Sequence, residues 1–222
     1  MKKHLFSLMS AALILTILIS NIGSLIADGL AFDGLRQNVL RLHILANSDS
    51  EFDQNMKLKV RDALLDSGIL SGAHDLDEAE ENAADKLRDI ETLAEITLEE
   101  YGCYYPVRAA IEDIGFDERE YGDITMPAGK YRALRIEIGE AKGHNWWCVM
   151  YPPLCLPAAC DVTDNKKTED EYFTEKERDI MKKPKKYRLK LALWEKIKEF
   201  TSKKDGECDD STVQNDKNQK KA

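Results

Sequence analysis

Charge disappears from the chain between Leu5 and Ala27, and the middle of that stretch, Ala11–Ile19, is almost wholly aliphatic. Lys2, Lys3 and His4 precede it as a short basic flank. A helix there has no polar face, so it is not the half-buried helix of a soluble core. It meets the ~20 apolar residues that a bilayer crossing needs. Two readings stay open. One is a signal peptide cleaved before Asp28, with Leu25 and Ala27 at the −3 and −1 positions; the other is an uncleaved anchor. Under both, the basic flank stays in the cytoplasm and everything after Asp28 is expected outside.

Beyond this segment the pattern changes to short amphipathic elements. Leu40, Leu42, Ile44 and Ala46 alternate with Arg41 and His43, which predicts a strand over Val39–Ala46. Asn47–Ser50 breaks it, and Ser48 stands three residues before Glu51, the spacing of a capping box. Met56, Val60, Ala63 and Leu64 then share a helical face, with Gly68 as a stop. Leu76, Ala83, Leu87, Ile90, Ala94, Leu98 and Tyr101 predict one longer helix, capped by Asp75 or Asp77 and ended by Gly102. Alternation returns over Cys103–Ile111, where Pro106 indicates an edge strand. A turn-rich stretch, Gly115–Gly129, leads to clear strands over Tyr131–Ile138 and Trp146–Tyr151, joined by a loop over Gly139–Asn145. Pro152, Pro153 and Pro157 exclude regular structure beyond.

The order β-α-α-β-β-β predicts an α+β domain: a mostly antiparallel sheet of about four strands with two helices on one face, preceded by the N-terminal apolar signal or anchor helix. The segments are the leader or anchor over 1–27, the α+β domain over 36–160, a charged C-terminal extension over 161–200 with an amphipathic helix at Arg188–Phe200, and a polar tail over 201–222. In that last helix Leu189, Leu193, Ile197 and Phe200 align. The tail has almost no apolar side chains and is expected to be disordered.

Composition narrows the function. A formal net charge of −9 argues against binding nucleic acid, whose partners concentrate positive charge. The five cysteines include no C-x-x-C pair, so the strong zinc and redox patterns are absent. Outside the cytoplasm thiols tend to oxidise. A Cys148–Cys155 bridge is therefore expected to close a short proline-rich loop, contributing ~2–3 kcal/mol. The alternative is that Cys148 is a buried core thiol. His144 and Cys148 match no nucleophile geometry that the sequence alone specifies, since catalytic Cys and His meet from distant parts of a chain. His144, Cys148, Cys155 and Cys160 fit no standard zinc module. Asp49, Glu51 and Asp53 lack the calcium-loop pattern and suit the positive end of a helix instead. Neither a cofactor nor a metal is expected, and the chain is not expected to be an enzyme. Trp146 and Trp147, adjacent on a strand, should point to opposite faces, so one can serve as an aromatic contact.

Two segments resemble a known family. Arg41-Leu-His-Ile-Leu-Ala-Asn-Ser-Asp-Ser50, with Asp53-Gln54 and Leu58-Lys-Val-Arg-Asp62, is similar to the opening of the stage II sporulation protein R family. Pro127-Ala-Gly-Lys-Tyr131, Ile138-Gly-Glu, Gly143-His-Asn-Trp-Trp-Cys-Val149 and Pro152-Pro-Leu-Cys155 resemble its second signature. The likeness runs over roughly residues 30–157 and does not reach the charged extension. It implies a protein made in the forespore and exported to the space between the two membranes. There it would activate a membrane-embedded aspartyl protease of the mother cell, which cleaves the pro-form of a sigma factor. The N-terminal segment would make transient membrane contact. His43, Asn47, Asp49, Arg61, Asn145, Trp146, Trp147, Pro152 and Pro153 are the expected partner-binding residues. The rival readings are a wall-acting hydrolase using His144 with Glu137 or Glu140, and a structural protein of the spore envelope.

Overall fold

The computed structural model describes residues 2–153 and 169–213. Its contacts divide the chain into two compact units, Gly34–Lys182 in one and Met1–Asp33 with Lys183–Ala222 in the other.

The first unit is built on a four-stranded mixed sheet. Its strands are β1 (Leu40–Leu45), β2 (Val107–Phe116), β5 (Gly129–Ile138) and β6 (Asn145–Tyr151), in the order β2-β5-β1-β6. β1 runs parallel to β5, while β2–β5 and β1–β6 are antiparallel. Alternation sets the inner face. Leu40, Leu42 and Ile44 line up with Leu134, Ile136, Ile138, Val107 and Ala109. Against them pack α2 (Glu51–Asp66) through Met56, Val60 and Leu64, α3 (Leu76–Asp85) through Ala79 and Ala83, and α4 (Leu87–Glu100) through Ile90, Ala94 and Leu98. Each fully buried aliphatic side chain of this kind stabilises by ~1.5–3 kcal/mol.

Three helices therefore share the core. The single helix expected before Gly102 breaks at Lys86, whose backbone leaves helical geometry (φ −97°, ψ 8°) and whose ammonium donates to the Ile69 carbonyl at 3.2 Å. Ala83 and Ile90 are two helical turns apart, so the apolar repeat passes through the break without registering it. The N-cap of α2 falls within the Asn47–Ser50 break, though not where the capping-box spacing put it. Ser50, not Ser48, accepts the Asp53 N–H. β2 is an edge strand, as Pro106 indicated, and two glutamates of α4 cover its rim: Glu95 accepts the Val107 N–H at 3.1 Å and Glu91 the Ala109 N–H at 3.0 Å. This satisfies groups that would otherwise template another strand.

The outer face of the sheet is covered too. The turn-rich stretch contains a small hairpin, β3 (Arg119–Tyr121) and β4 (Ile124–Met126), turning at Gly122 with φ 62°. Tyr121 accepts a hydrogen bond from Arg41, whose guanidinium lies 3.9 Å from the Phe116 ring centroid and 4.9 Å from that of Tyr131. Arg41 is thus fully buried among aromatic rings, where a cation gains ~0.5–2 kcal/mol. After α5 (Glu169–Tyr172), α6 (Glu175–Lys182) packs on β4 and buries Ile180 and Met181. The compact unit consequently runs past residue 160, where the change in composition had placed its end.

The second unit holds α1 (Lys2–Gln37) up to Asp33 and α7 (Pro184–Val213). α1 is long and apolar enough to cross a membrane, and its apolar side chains from Leu8 to Ile22, with Ile26, are exposed. α7 continues to Val213, although the polarity of the chain from Thr201 predicted disorder.

Candidate functional site

The two signature segments meet where β1 and β5 end and β6 begins. Asn47 leaves β1 with its side chain clamped: its amide donates to Asp53 Oδ2 at 2.8 Å, and its oxygen accepts the Glu140 N–H at 2.9 Å. Gly139, with φ 59°, makes this approach possible, because a Cβ there would meet Asn47 Oδ1 at 2.4 Å. The Lys142 N–H donates to the Asn47 carbonyl at 3.1 Å and the Gly143 N–H to the Ala46 carbonyl at 2.9 Å. Gly143 lies so close to the Ser48 carbonyl that a Cβ would fall 2.1 Å from its oxygen. Asp53 is the hub. Burial pushes its carboxyl upward, but hydrogen bonds from Ser48, Asn47, Ser50 and Tyr105 outweigh this and hold it below the usual carboxylate range. Lys57 closes the knot from α2, donating to Gln54 at 2.6 Å and to the His144 carbonyl at 2.9 Å. Its burial, and then the nearby Arg61, lower its pKa.

On the outside of this knot stand Asp49 and His144. Asp49 Oδ1 accepts the His144 N–H and also contacts His144 Nδ1. Both side chains are mostly exposed, at 57% and 81%. Their hydrogen bonds hold the Asp49 carboxyl below its ordinary value. Asn145 is exposed beside them. His144 thus pairs with Asp49 and not with the carboxylates the hydrolase reading assigned to it. Glu137 pairs with Arg135 at 2.6 Å and Glu140 with Lys142 at 2.8 Å.

The remaining expected site residues are distributed elsewhere. Trp146 and Trp147 point to opposite faces of the sheet, as strand geometry requires. Trp146 packs against the helical core, with the Arg61 guanidinium 5.3 Å from its ring. Trp147 stacks on His43 on the other face, centroids 3.8 Å apart and planes 10° from parallel, with Phe116 at 4.5 Å. His43 is only 4% exposed, so it supports Trp147 and offers no surface of its own. Burial and then the charges of Arg135 and Arg41 lower its pKa from 6.5 to about 4, with Asn145 pulling weakly the other way. The sheet separates buried His43 from Asn47, Asp49 and Arg61, the other expected partner-binding residues near this end of β1. Pro152, buried, and Pro153, exposed, follow the end of β6 that pairs with Leu40, whereas Asn145 pairs with Leu45 at the junction end. Strand rise puts ~20 Å between the two ends.

Cys148 lies in the core opposite Leu42 and is 1% exposed; Cys155 and Cys160 lie outside the described residues. Among the described residues no group of three or more His, Cys, Asp or Glu is placed to hold a metal. Arg108, Glu112, Arg135 and Glu137 line a shallow polar pocket on the Trp147 face, where Arg135 joins Glu112 at 3.3 Å and Glu137 at 2.6 Å, so the opposing charges answer each other. Sequence reasoning left the inner knot of Ser48, Gln54, Lys57 and Gly143 out of the site. The pair of glycines bracketing the β5–β6 loop was its visible signal.

Comparisons with known proteins fit this geometry. A model of the stage II sporulation protein R family matches residues 36–161, which takes in both segments of the junction. Stage II sporulation protein R of Bacillus subtilis (strain 168) is 36% identical over 141 residues, covering 62% of this chain and 62% of that protein's length. No solved structure matches the chain. With more than half of its length matched, including every residue of the knot between β1 and β6, the chain belongs to the stage II sporulation protein R family.

Proposed function

We propose that this chain is an intercompartmental signal of endospore formation. Its apolar segment carries the folded unit out of the forespore, and that unit activates, by contact, a membrane-embedded aspartyl protease of the mother cell. The protease then processes the pro-form of the mother-cell sigma factor. Family membership supports the sporulation role, and α1 supports passage into or through a membrane. The observation that carries the contact reading is the junction. Both signatures converge there on a rigid network whose polar interior is satisfied internally, leaving Asp49, His144 and Asn145 presented on its outside. A trigger of this kind must bind the active state of its target more tightly than the inactive one. A fixed hydrogen-bonded loop pair does so at low ordering cost.

The test uses full-length variants in a sporulating strain lacking its own copy. Asp49→Ala combined with Asn145→Ala should reduce sigma-factor processing at least several-fold while circular dichroism and melting stay close to the parent. Pro153→Ala, at the far end of the sheet, should process normally. Normal signalling by the folded Asp49/Asn145 variant would remove the junction from the contact surface. The hydrolase alternative is tested with the same purified chain on cell wall and peptides: turnover abolished by His144→Ala would replace the contact reading.

A further inference from the structure

The α1–α7 unit carries a feature that the activation of a protease does not use. α7 crosses α1 where α1 leaves its uncharged run. Lys190 Nζ donates to Asp28 and, at 3.1 Å, to Ser24 Oγ. Trp194 Nε1 donates to Asp33 Oδ2 at 2.9 Å, and Lys198 Nζ to Asp33 Oδ1 at 2.8 Å. The Trp194 ring fills the notch above Gly29, where a Cβ would meet it at 2.1 Å, and Tyr187 meets Phe32 edge-on with centroids 6.1 Å apart. Leu5–Ala27 is long enough to cross a bilayer, for which ~20 residues suffice, and a crossing there would put Asp28–Asp33 at headgroup depth. These contacts tie α7 to that part of α1.

Beside the face that meets α1, about a quarter turn round the helix, α7 carries an apolar stripe. At ~100° per residue, Leu189, Leu193, Ile197 and Phe200 fall within about 80° of arc, centred about 100° from Trp194 and about 140° from Lys198. All four are exposed, Leu189 and Phe200 by 73% and 74%. Lys186 falls within the arc at its N-terminal end and Lys185 and Lys196 border it, while Glu195 and Glu199 lie off it. Between Pro184 and Thr201 six side chains are basic and two acidic. We infer that α7 lies in the plane of the membrane that α1 enters, its Leu189–Phe200 stripe seated among the acyl chains and its lysines on anionic headgroups. An amphipathic helix with lysines beside its apolar face binds such a surface through both terms. A second copy suits the stripe less well, because a two-fold pairing sets the bordering lysines against their own kind.

The inference rests on α1 being the membrane-entering segment, and the experiment separates the two. The full chain is reconstituted into vesicles of phosphatidylcholine alone or of phosphatidylcholine with phosphatidylglycerol, with a fluorescent amino acid at position 197 or at position 199. Flotation first reports whether α1 holds the chain to the vesicles. Quenching by nitroxide-bearing lipid should then be several-fold stronger at 197 than at 199. Aqueous iodide should show the reverse, and the contrast should be larger in the anionic vesicles and weaken at high salt. Leu193→Glu should abolish the contrast without releasing the chain. Three results overturn the inference: equal access of iodide to both positions while the chain floats, protection of position 197 that follows protein density instead of lipid charge, or a chain that does not float. The last of these also overturns the membrane reading of α1.

Discussion

His43 sits beneath Trp147 with two arginines close by, and its neutral form is the one the fold accepts. Its pKa in the folded chain, about 4, lies below the unfolded value of 6.5. Between those values the unfolded chain binds a proton that the folded chain refuses, so stability falls as pH drops through this window and stops falling below it. The loss attributable to His43 is up to about 3 kcal/mol. Urea unfolding of the full chain in mild detergent should show this decline between about pH 6.5 and pH 4, and His43→Phe, which keeps a ring under Trp147, should flatten it. An unchanged pH slope in that variant would assign the acid sensitivity to other groups. Gly143 offers a second residue-scale test. Its Cβ position is occupied by the backbone oxygen of Ser48, which cannot swing aside. Gly143→Ala should cost ~1–3 kcal/mol by forced displacement, read as a lower melting temperature together with weaker sigma-factor processing. The alternation of Arg41 and His43 with aliphatic residues was plain in the sequence, but their burial was not. Polar residues on alternate positions ordinarily face water, and only the aromatic cover of Phe116, Tyr121, Tyr131 and Trp147 makes the interior tolerable for them.

Among the elements, the strands were legible because period two survives wherever one face is buried: β1, β5 and β6 lie within a residue or two of where alternation placed them. β2 extends further than expected, to Phe116, and the β3–β4 hairpin went unseen, since neither of its strands is long enough for a pattern to emerge. The parallel pairing of β1 with β5 depends on tertiary order, which local periodicity does not encode. The covering of β2 by α4 has a testable consequence. Replacing Glu91 and Glu95 by Ala leaves two strand N–H groups without carboxylate acceptors, at ~1.5–3 kcal/mol for each charge-assisted hydrogen bond. Amide exchange at Val107 and Ala109 should quicken in that variant while exchange at Leu42 and Ile44, inside the sheet, shifts only with global stability. Unchanged protection at both rim amides would mean the glutamates do not cap the edge.

For the whole molecule, the sequence carried the division of labour further than the division into units. An uncharged apolar run behind a basic start and a distinctive pair of signature segments were enough to indicate a family and an expected compartment. They did not show that the signatures meet in one knot, because that contact joins residues about ninety positions apart, Asp49 to His144 and Asn47 to Glu140. Nor did composition show that α6 belongs with the sheet: its charged sequence hides Ile180 and Met181, which pack inward. The account depends on the signalling unit reaching its target from outside the forespore. The most direct measurement is sigma-factor precursor processing in a sporulating strain deleted for its own copy, complemented either with the intact chain or with a chain lacking residues 5–27. Processing should return with the intact chain and stay absent with the shortened one, although both accumulate to the same level. Equal processing by the shortened chain, retained in the forespore cytoplasm, would contradict the account.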